Sequence, residues 1–179
     1  MLVSKTDWAA ENGETYETIL ERAAGEYTIV QSTNGVGASS PTGLVWIKQQ
    51  KKGPRLLGKP AGQSVAHGYL YGMLCGHNVR THRALFLLTH GYLPATIDHI
   101  DGDTLNNSID NLRDVSSFEN QHNRIAKGYC FDRGKWKAVI MVNGKNKHLG
   151  VFATPDEART AYLTAKKQLH PTAPERCYA

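Results

Sequence analysis

Apolar positions recur along this chain with two different periods, and each change of period marks an element. Between Thr15 and Ala24, Ile19, Leu20 and Ala23 fall at helical spacing and predict a short helix. Leu44 to Ile47 is an apolar run of strand length. His67 to Leu74 and a second segment near Val79 predict strands flanking a hairpin turn at Cys75-Gly76-His77-Asn78. Thr81 to Thr89 returns to helical spacing through Ala84, Leu85, Leu87 and Leu88, and Gly91 supplies a left-handed stop. Ile97 to Ile100 and Leu112 to Val115 are short strands. Between them lie an Asp101-Gly102-Asp103 turn and a polar loop with Asn106, Asn107 and Asn111. Ser116 and Glu119 stand at capping-box spacing, which predicts a helix running to about Ala126.

Beyond residue 127 the alternation becomes regular. Gly128 to Arg133 is a first strand. In Lys135 to Val142, Trp136, Ala138, Ile140 and Val142 take one face, and Lys137, Val139 and Met141 the other. Asn143-Gly144 is a two-residue hairpin signal leading into a third strand, Lys145 to Phe152. Thr154-Pro155-Asp156-Glu157 combines an N-cap, a proline at the first helical position and a capping-box glutamate. Ala158, Ala161, Tyr162, Ala165 and Leu169 then share a helical face of small residues that can lie close on the Trp136 face. The expected class is α+β: a small β-rich segment, a strand–loop–strand–helix core, then a three-stranded antiparallel sheet packed on one helix.

Composition narrows the function classes. The chain has 179 residues, 40% hydrophobic and 21% charged, which excludes wholesale disorder. It has no apolar run long enough for a membrane span, and the first twelve residues have no signal-peptide core. Cys75, Cys130 and Cys177 are odd in number and far apart, which excludes a disulfide framework and a C-x-x-C zinc knuckle and predicts a reducing compartment. The net charge of +5 is unevenly spread. Residues 126–179 carry ten Lys/Arg against four Asp/Glu, whereas residues 61–125 carry four against six. A basic C-terminal third predicts a polyanionic partner, nucleic acid first.

The middle segment carries the candidate chemistry. Asp98 offers a hard anionic oxygen and Asn120 a neutral carbonyl oxygen; two such donors with waters and a substrate phosphate suit Mg²⁺. A histidine such as His99 can be neutral near pH 7, so it can take a proton from water. A metal beside a general base suffices for phosphodiester hydrolysis. Neighbours on a regular strand point to opposite faces, so Asp98 and His99 can share a site only where the strand bulges or ends.

Asp98-His99, eleven residues, Asn111, eight residues, Asn120 resembles the HNH endonuclease motif. The text from Ile97 to Asn120 is similar to the phage and intron-homing branch, as are Gly68-Tyr69-Leu70, Thr81-His82-Arg83-Ala84-Leu85 and Pro41-Thr42-Gly43-Leu44-Val45-Trp46. The resemblance implies a ββα-metal core in which His99 activates the attacking water. It implies that Asp98 and Asn120 bind one Mg²⁺ or Mn²⁺, and that Asn111 braces the loop by hydrogen bonds. Products would be 5′-phosphate and 3′-hydroxyl ends. The last motif letter is often His; Asn120 in its place disfavours zinc, and His122 and Asn123 are nearby substitutes. His82 and Arg83 are candidate phosphate contacts beside a packed or surface role. A cytoplasmic, phage-encoded protein acting in the host cell is the family's setting.

The C-terminal third resembles an Apetala-two-type DNA-binding domain. The matching text is Gly128-Tyr129, Gly134 to Ile140, Gly144-Lys145, His148 to Phe152, Glu157-Ala158 and Ala161-Tyr162. The resemblance implies that the sheet enters the major groove of double-stranded DNA. Lys137, Val139, Met141, Asn146 and His148 would be on the DNA face, with Lys127, Arg133, Lys135, Lys145 and Lys147 near phosphates. That family's DNA face is rich in Arg and Trp; Cys130, Val139, Met141 and His148 occupy this one, so phosphate contact outweighs base readout. The domain expectation is 1–40 of open role, 41–126 nuclease and 127–179 DNA-binding. For residues 1–40, completing the fold, touching DNA and binding a partner protein stay open. A metal-dependent DNA endonuclease is the first reading. A DNA-binding protein on the same scaffold that has lost cleavage is the second, and a nuclease acting on structured RNA is the third.

Overall fold

The computed structural model describes residues 13, 15–24, 27–29, 44–46, 61, 63–74 and 77–178. The expectations for residues 1–12, 31–43 and 48–59 and for Cys75-Gly76 lie outside them. The chain divides into two compact units, Met1–Asp114 and Val115–Ala179.

In the first unit, helix α1 (Tyr16–Ala24) is followed by β1 (Tyr27–Ile29) and β2 (Leu44–Trp46), which pair antiparallel. Next come β3 (Ser64–Ala66), β4 (Tyr69–Leu74) and β5 (His77–Arg80), an antiparallel sheet in chain order. β3 is absent from the periodicity because it has only three residues, all exposed, so no buried–exposed alternation marks it. It is joined to β4 by His67-Gly68, both at positive φ (48° and 78°), a geometry that suits the right-handed twist of a hairpin. Helix α2 (Thr81–His90) ends at Gly91, whose left-handed conformation (φ 76°) lets its N–H donate to Leu87 O at 2.8 Å. The core gathers Ile19, Ala23, Leu44, Ala61, Val79, Leu112 and the Ala84–Leu87 turn of α2. Every residue of α2 from Thr81 to Leu87 is buried, so it is covered on all sides rather than along one stripe. A last hairpin, β6 (Ile97–His99) and β7 (Leu112–Asp114), encloses the polar loop.

In the second unit, helix α3 (Ser117–His122) has the expected capping box, with Ser116 Oγ accepting from Glu119 N–H and Glu119 accepting from Ser116 N–H. It stops at His122, short of the predicted Ala126. The following residues are tied to the C-terminal tail instead: His122 stacks on His170 at 4.2 Å and bonds Thr172 Oγ1 through Nδ1 (2.6 Å). Arg176 donates to Asn123 O at 2.9 Å, and Lys166 Nζ donates to Arg124 O at 2.6 Å. These ties hold α3 to the C-terminal residues within the compact unit Val115–Ala179.

Strands β8 (Tyr129–Asp132), β9 (Lys135–Val142) and β10 (Lys145–Phe152) form an antiparallel sheet with β9 central, packed on helix α4 (Pro155–Leu169). Asn143-Gly144 turns with φ 50° and 75°. Ala138, Ile140 and, on the helix, Ala158 are fully buried, and Tyr162 is buried at 5% exposure. The small-residue approach is closest at Gly128: a Cβ there would lie 2.0 Å from the Tyr162 ring. Among the described residues no helix is long and apolar enough to cross a membrane.

Candidate active site

The β6–β7 pairing runs without irregularity, with Asp98 opposite Arg113 and His99 opposite Leu112. The strand ends at His99, where the chain turns and Gly102 N–H donates to His99 O at 2.9 Å. Asp98 and His99, both buried, engage different partners. Asp98 Oδ2 accepts from Arg113 Nε (2.9 Å) and Nη2 (2.6 Å), a charge-assisted cross-strand pair. His99 is enclosed by aromatic rings: His82 at 5.0 Å edge-on and Tyr69 at 6.2 Å. Its Nε2 lies 3.1 Å from Asn107 Oδ1.

The loop between the strands is held by side chains rather than by a ladder. Asn111 Nδ2 donates to Asp101 Oδ1 and to Asn106 O, both at 2.9 Å, and Asn111 Oδ1 accepts from Asp101 N–H at 3.0 Å. Asn106 Nδ2 donates to Asp101 Oδ2 at 2.6 Å, and Asp101 Oδ1 also accepts from Asp103 N–H. Burial alone would raise the Asp101 carboxyl. The bonds from Asn106, Asn111 and Asp103 N–H outweigh it and hold the group below its ordinary value.

His82 and Arg83, expected at phosphates, are buried, at 4% and 7% exposure. The turns of α2 from Thr81 to Leu87 are covered, which is the packed setting weighed beside phosphate contact, and His82 faces Tyr69 (5.4 Å) and His99. Burial, reinforced by neighbouring His99, Arg83 and Arg80, lowers the His82 imidazole to about 3, so it stays neutral. Its Nδ1 has no hydrogen-bond partner, and neither has Asn107 Nδ2. Each such buried group costs about 1–3 kcal/mol.

Two residues that bond directly to this site escape a reading of the sequence. Arg113 could have been found from cross-strand register, since it stands opposite Asp98. Asn107 has no such signal; it is one of several loop asparagines, distinguished only by complete burial. Asn120 lies in the second unit, exposed on α3, with its N–H on Ser116 O. His122 and Asn123, the substitutes, are committed to Thr172 and Arg176. Among the described residues no group of three or more His, Cys, Asp or Glu could hold a metal. By donor type alone, the Asp98 carboxylate and the Asn120 amide oxygen are hard donors, which suit Mg²⁺ or Mn²⁺ better than zinc.

In the second unit, the β8–β10 face away from α4 carries Cys130, Lys137, Val139, Met141, Asn146 and His148 by strand alternation and register. Lys127, Arg133, Lys135, Lys145, Asn146, Lys147 and His148 are exposed, and Lys137 is half-buried. A cavity of about 260 Å³ in this unit is lined by Gln121, Arg124, Met141, Asn146 and His170 among others.

No curated protein and no solved structure matches the chain. A family model does: residues 79–122, from the end of β5 through α3, match the HNH endonuclease family. This segment is therefore similar to HNH endonucleases over the stretch that contains Asp98, His99, Asn111 and Asn120, and the similarity supports a nuclease.

Proposed function

We propose that this protein is a divalent-metal-dependent HNH endonuclease that hydrolyses phosphodiester bonds in double-stranded DNA, as a nick or a double-strand break. The observation that carries the reading is the setting of His99. It sits buried at a strand end, hydrogen-bonded through Nε2, within the segment similar to HNH endonucleases. In this reading His99 takes the proton of the attacking water, the water oxygen bonds to phosphorus, and the 3′ oxygen departs, leaving 5′-phosphate and 3′-hydroxyl ends. Asp98 and Asn120 are the oxygen donors that the motif spacing assigns to one Mg²⁺ or Mn²⁺. When bound, the ion supplies Lewis acidity to the phosphoryl group and the leaving oxygen. Asn111 keeps the loop in shape, through Asp101 and Asn106. Phosphate contact falls to the C-terminal sheet, read here as an Apetala-two-like DNA-binding domain with Lys127, Arg133, Lys135, Lys137, Lys145 and Lys147 as its cations. The exposure of Lys127, Arg133, Lys135, Lys145 and Lys147 supports that role.

One observation favours the second reading, a DNA-binding protein without cleavage: Arg113 already donates twice to the Asp98 carboxylate. The test is supercoiled plasmid incubated with wild type or His99→Ala in Mg²⁺, Mn²⁺ or EDTA. The nuclease reading expects metal-dependent relaxation or linearisation by wild type and a loss of roughly 10²–10⁴-fold in the variant with DNA binding kept. Binding without cutting in any metal, on plasmid and on a genomic DNA library, would establish the second reading instead.

A further inference from the structure

We infer that the cavity at the open edge of β9 binds a single unpaired nucleotide, with the base inside and the phosphate at Arg124. The cavity lies wholly within the second unit. Its place follows from strand length. β8 begins at Tyr129, opposite Ala138, so β9 runs on past its partner. Val139 N–H still reaches Gly128 O at 2.9 Å. Met141, two residues on, turns its backbone to the same side, and there its carbonyl accepts from His170 Nε2 at 2.7 Å. Among the described residues no strand pairs with this edge between Gly128 and His170, and both residues line the cavity.

The lining sets the chemistry of the ligand. A volume of about 260 Å³ is below the roughly 300–1,000 Å³ of a drug-sized site and suits a group the size of a nucleobase. Val139, Met141 and the Tyr162 ring supply apolar wall for the faces of a flat ring. Gln121 and Asn146 each carry an amide donor and an amide acceptor, a pairing that suits the edge of a base rather than a bare anion. Arg124 is exposed, and no carboxylate is among the described residues that line the cavity, which favours a phosphate there. His170 is only 6% exposed, and its Nδ1 has no hydrogen-bond partner, so the wall includes a buried polar group not yet satisfied. Met141 and Asn146 stand opposite each other in the register, on the face proposed above to meet DNA. A nucleotide that swings out of a strand on that face therefore meets the cavity beside them. In this the inference rests on the DNA-binding role proposed above.

The test is fluorescence anisotropy of the full chain in EDTA, where no metal supports cleavage. It uses three duplexes of one sequence: fully paired, with one bulged nucleotide, and with the same bulge made abasic. Wild type is expected to bind the bulged duplex about 10-fold more tightly than the other two, because only it offers an unpaired base. This comparison needs no variant. Ala126→Trp places a large ring in the cavity from an exposed position; it should erase the gain and leave the paired duplex bound as before. Equal affinity for the bulged and abasic-bulged duplexes would mean that deformable DNA, not a base, is bound, and it overturns the inference. A gain that survives Ala126→Trp overturns it as well. Competition by a deoxynucleoside monophosphate, without any preference for the bulge, would assign the cavity to a free nucleotide and overturn the strand-borne reading. If the gain appears and is lost as expected, but no duplex is cut when Mg²⁺ or Mn²⁺ is restored, the nuclease reading fails and the role of the cavity stands. If paired DNA is cut and the bulge makes no difference, the reverse holds.

Discussion

The β6–β7 hairpin and the β8–β10 sheet are both antiparallel, and they are held by opposite means. β6 and β7 have three residues each; Leu112 reaches the apolar core, but the other buried groups around them are Asp98, His99, Asn107 and Asn111, fixed by hydrogen bonds and one ion pair. β9 and β10 have eight residues each, and what is buried there is Ala138 and Ile140 against a helix contributing Ala158 and Tyr162. Burial of apolar area is non-directional and makes a stable frame. A hydrogen-bonded polar network adds little net stability but fixes atoms in direction, which a general base requires. The region similar to HNH endonucleases is thus built for placement and the C-terminal sheet for rigidity.

Rigidity should fail hardest on the apolar side. Ile140→Ala removes a fully buried side chain at the centre of the sheet and should cost about 3 kcal/mol, with faster hydrogen exchange across β8–β10. A loss below about 1 kcal/mol would mean that the sheet does not depend on that core. Asn111→Ala should cost less, roughly 2 kcal/mol, because it leaves Asp101 N–H and Asn106 O short of partners. Its signature should be local: faster exchange in residues 100–111 that outstrips the change in overall stability. If Asn111→Ala instead costs as much as Ile140→Ala, the loop is part of the frame and not an ornament upon it.

How much was legible follows the same division. Periodicity alone located β9, β10, α4 and the Asn143-Gly144 turn, because there the apolar pattern and the packing coincide. It located α2 but not its burial: Ala84, Leu85 and Leu87 predict a stripe, whereas Tyr69 and His99 also cover the side that carries His82. β3 was illegible since Ser64, Val65 and Ala66 are all exposed. The motif spacing pointed to Asp98, His99, Asn111 and Asn120, but spacing cannot say what each side chain touches. The Arg113 pair on Asp98 needs strand register, and the Asn107 bond to His99 depends on the path of an irregular loop that no local preference specifies.

His82 offers a finer probe of the polar side. Its imidazole is held at about 3 by burial, against an ordinary 6.5, so between these values the unfolded chain binds a proton that the folded chain excludes. Stability from this group is therefore fully present above pH 6.5 and is lost as pH falls toward 3. His82→Phe keeps an aromatic ring against His99 and removes the titration. The slope of unfolding free energy against pH in that window should fall by about one proton equivalent. An unchanged slope would place the His82 ring in contact with water and undo its role as a neutral wall.

A weaker effect still is expected from the sheet as a polyanion surface. Lys137 and Lys147 lie on adjacent strands of the unit whose residues 126–179 carry most of the net positive charge, and their side chains project from opposite faces of the sheet. Removing one cation that neutralises a phosphate should reduce the slope of log affinity against log salt by about 0.9. Changed singly to Gln, the two lysines therefore discriminate between faces. Lys137→Gln, on the face away from α4, should flatten the slope by about one unit and weaken binding uniformly across DNA sequences, while Lys147→Gln should change it less. Equal effects would show that phosphates are gathered by the rim of the sheet rather than by one face. No effect from either would remove the sheet from the DNA-binding surface and leave its regularity a matter of stability alone.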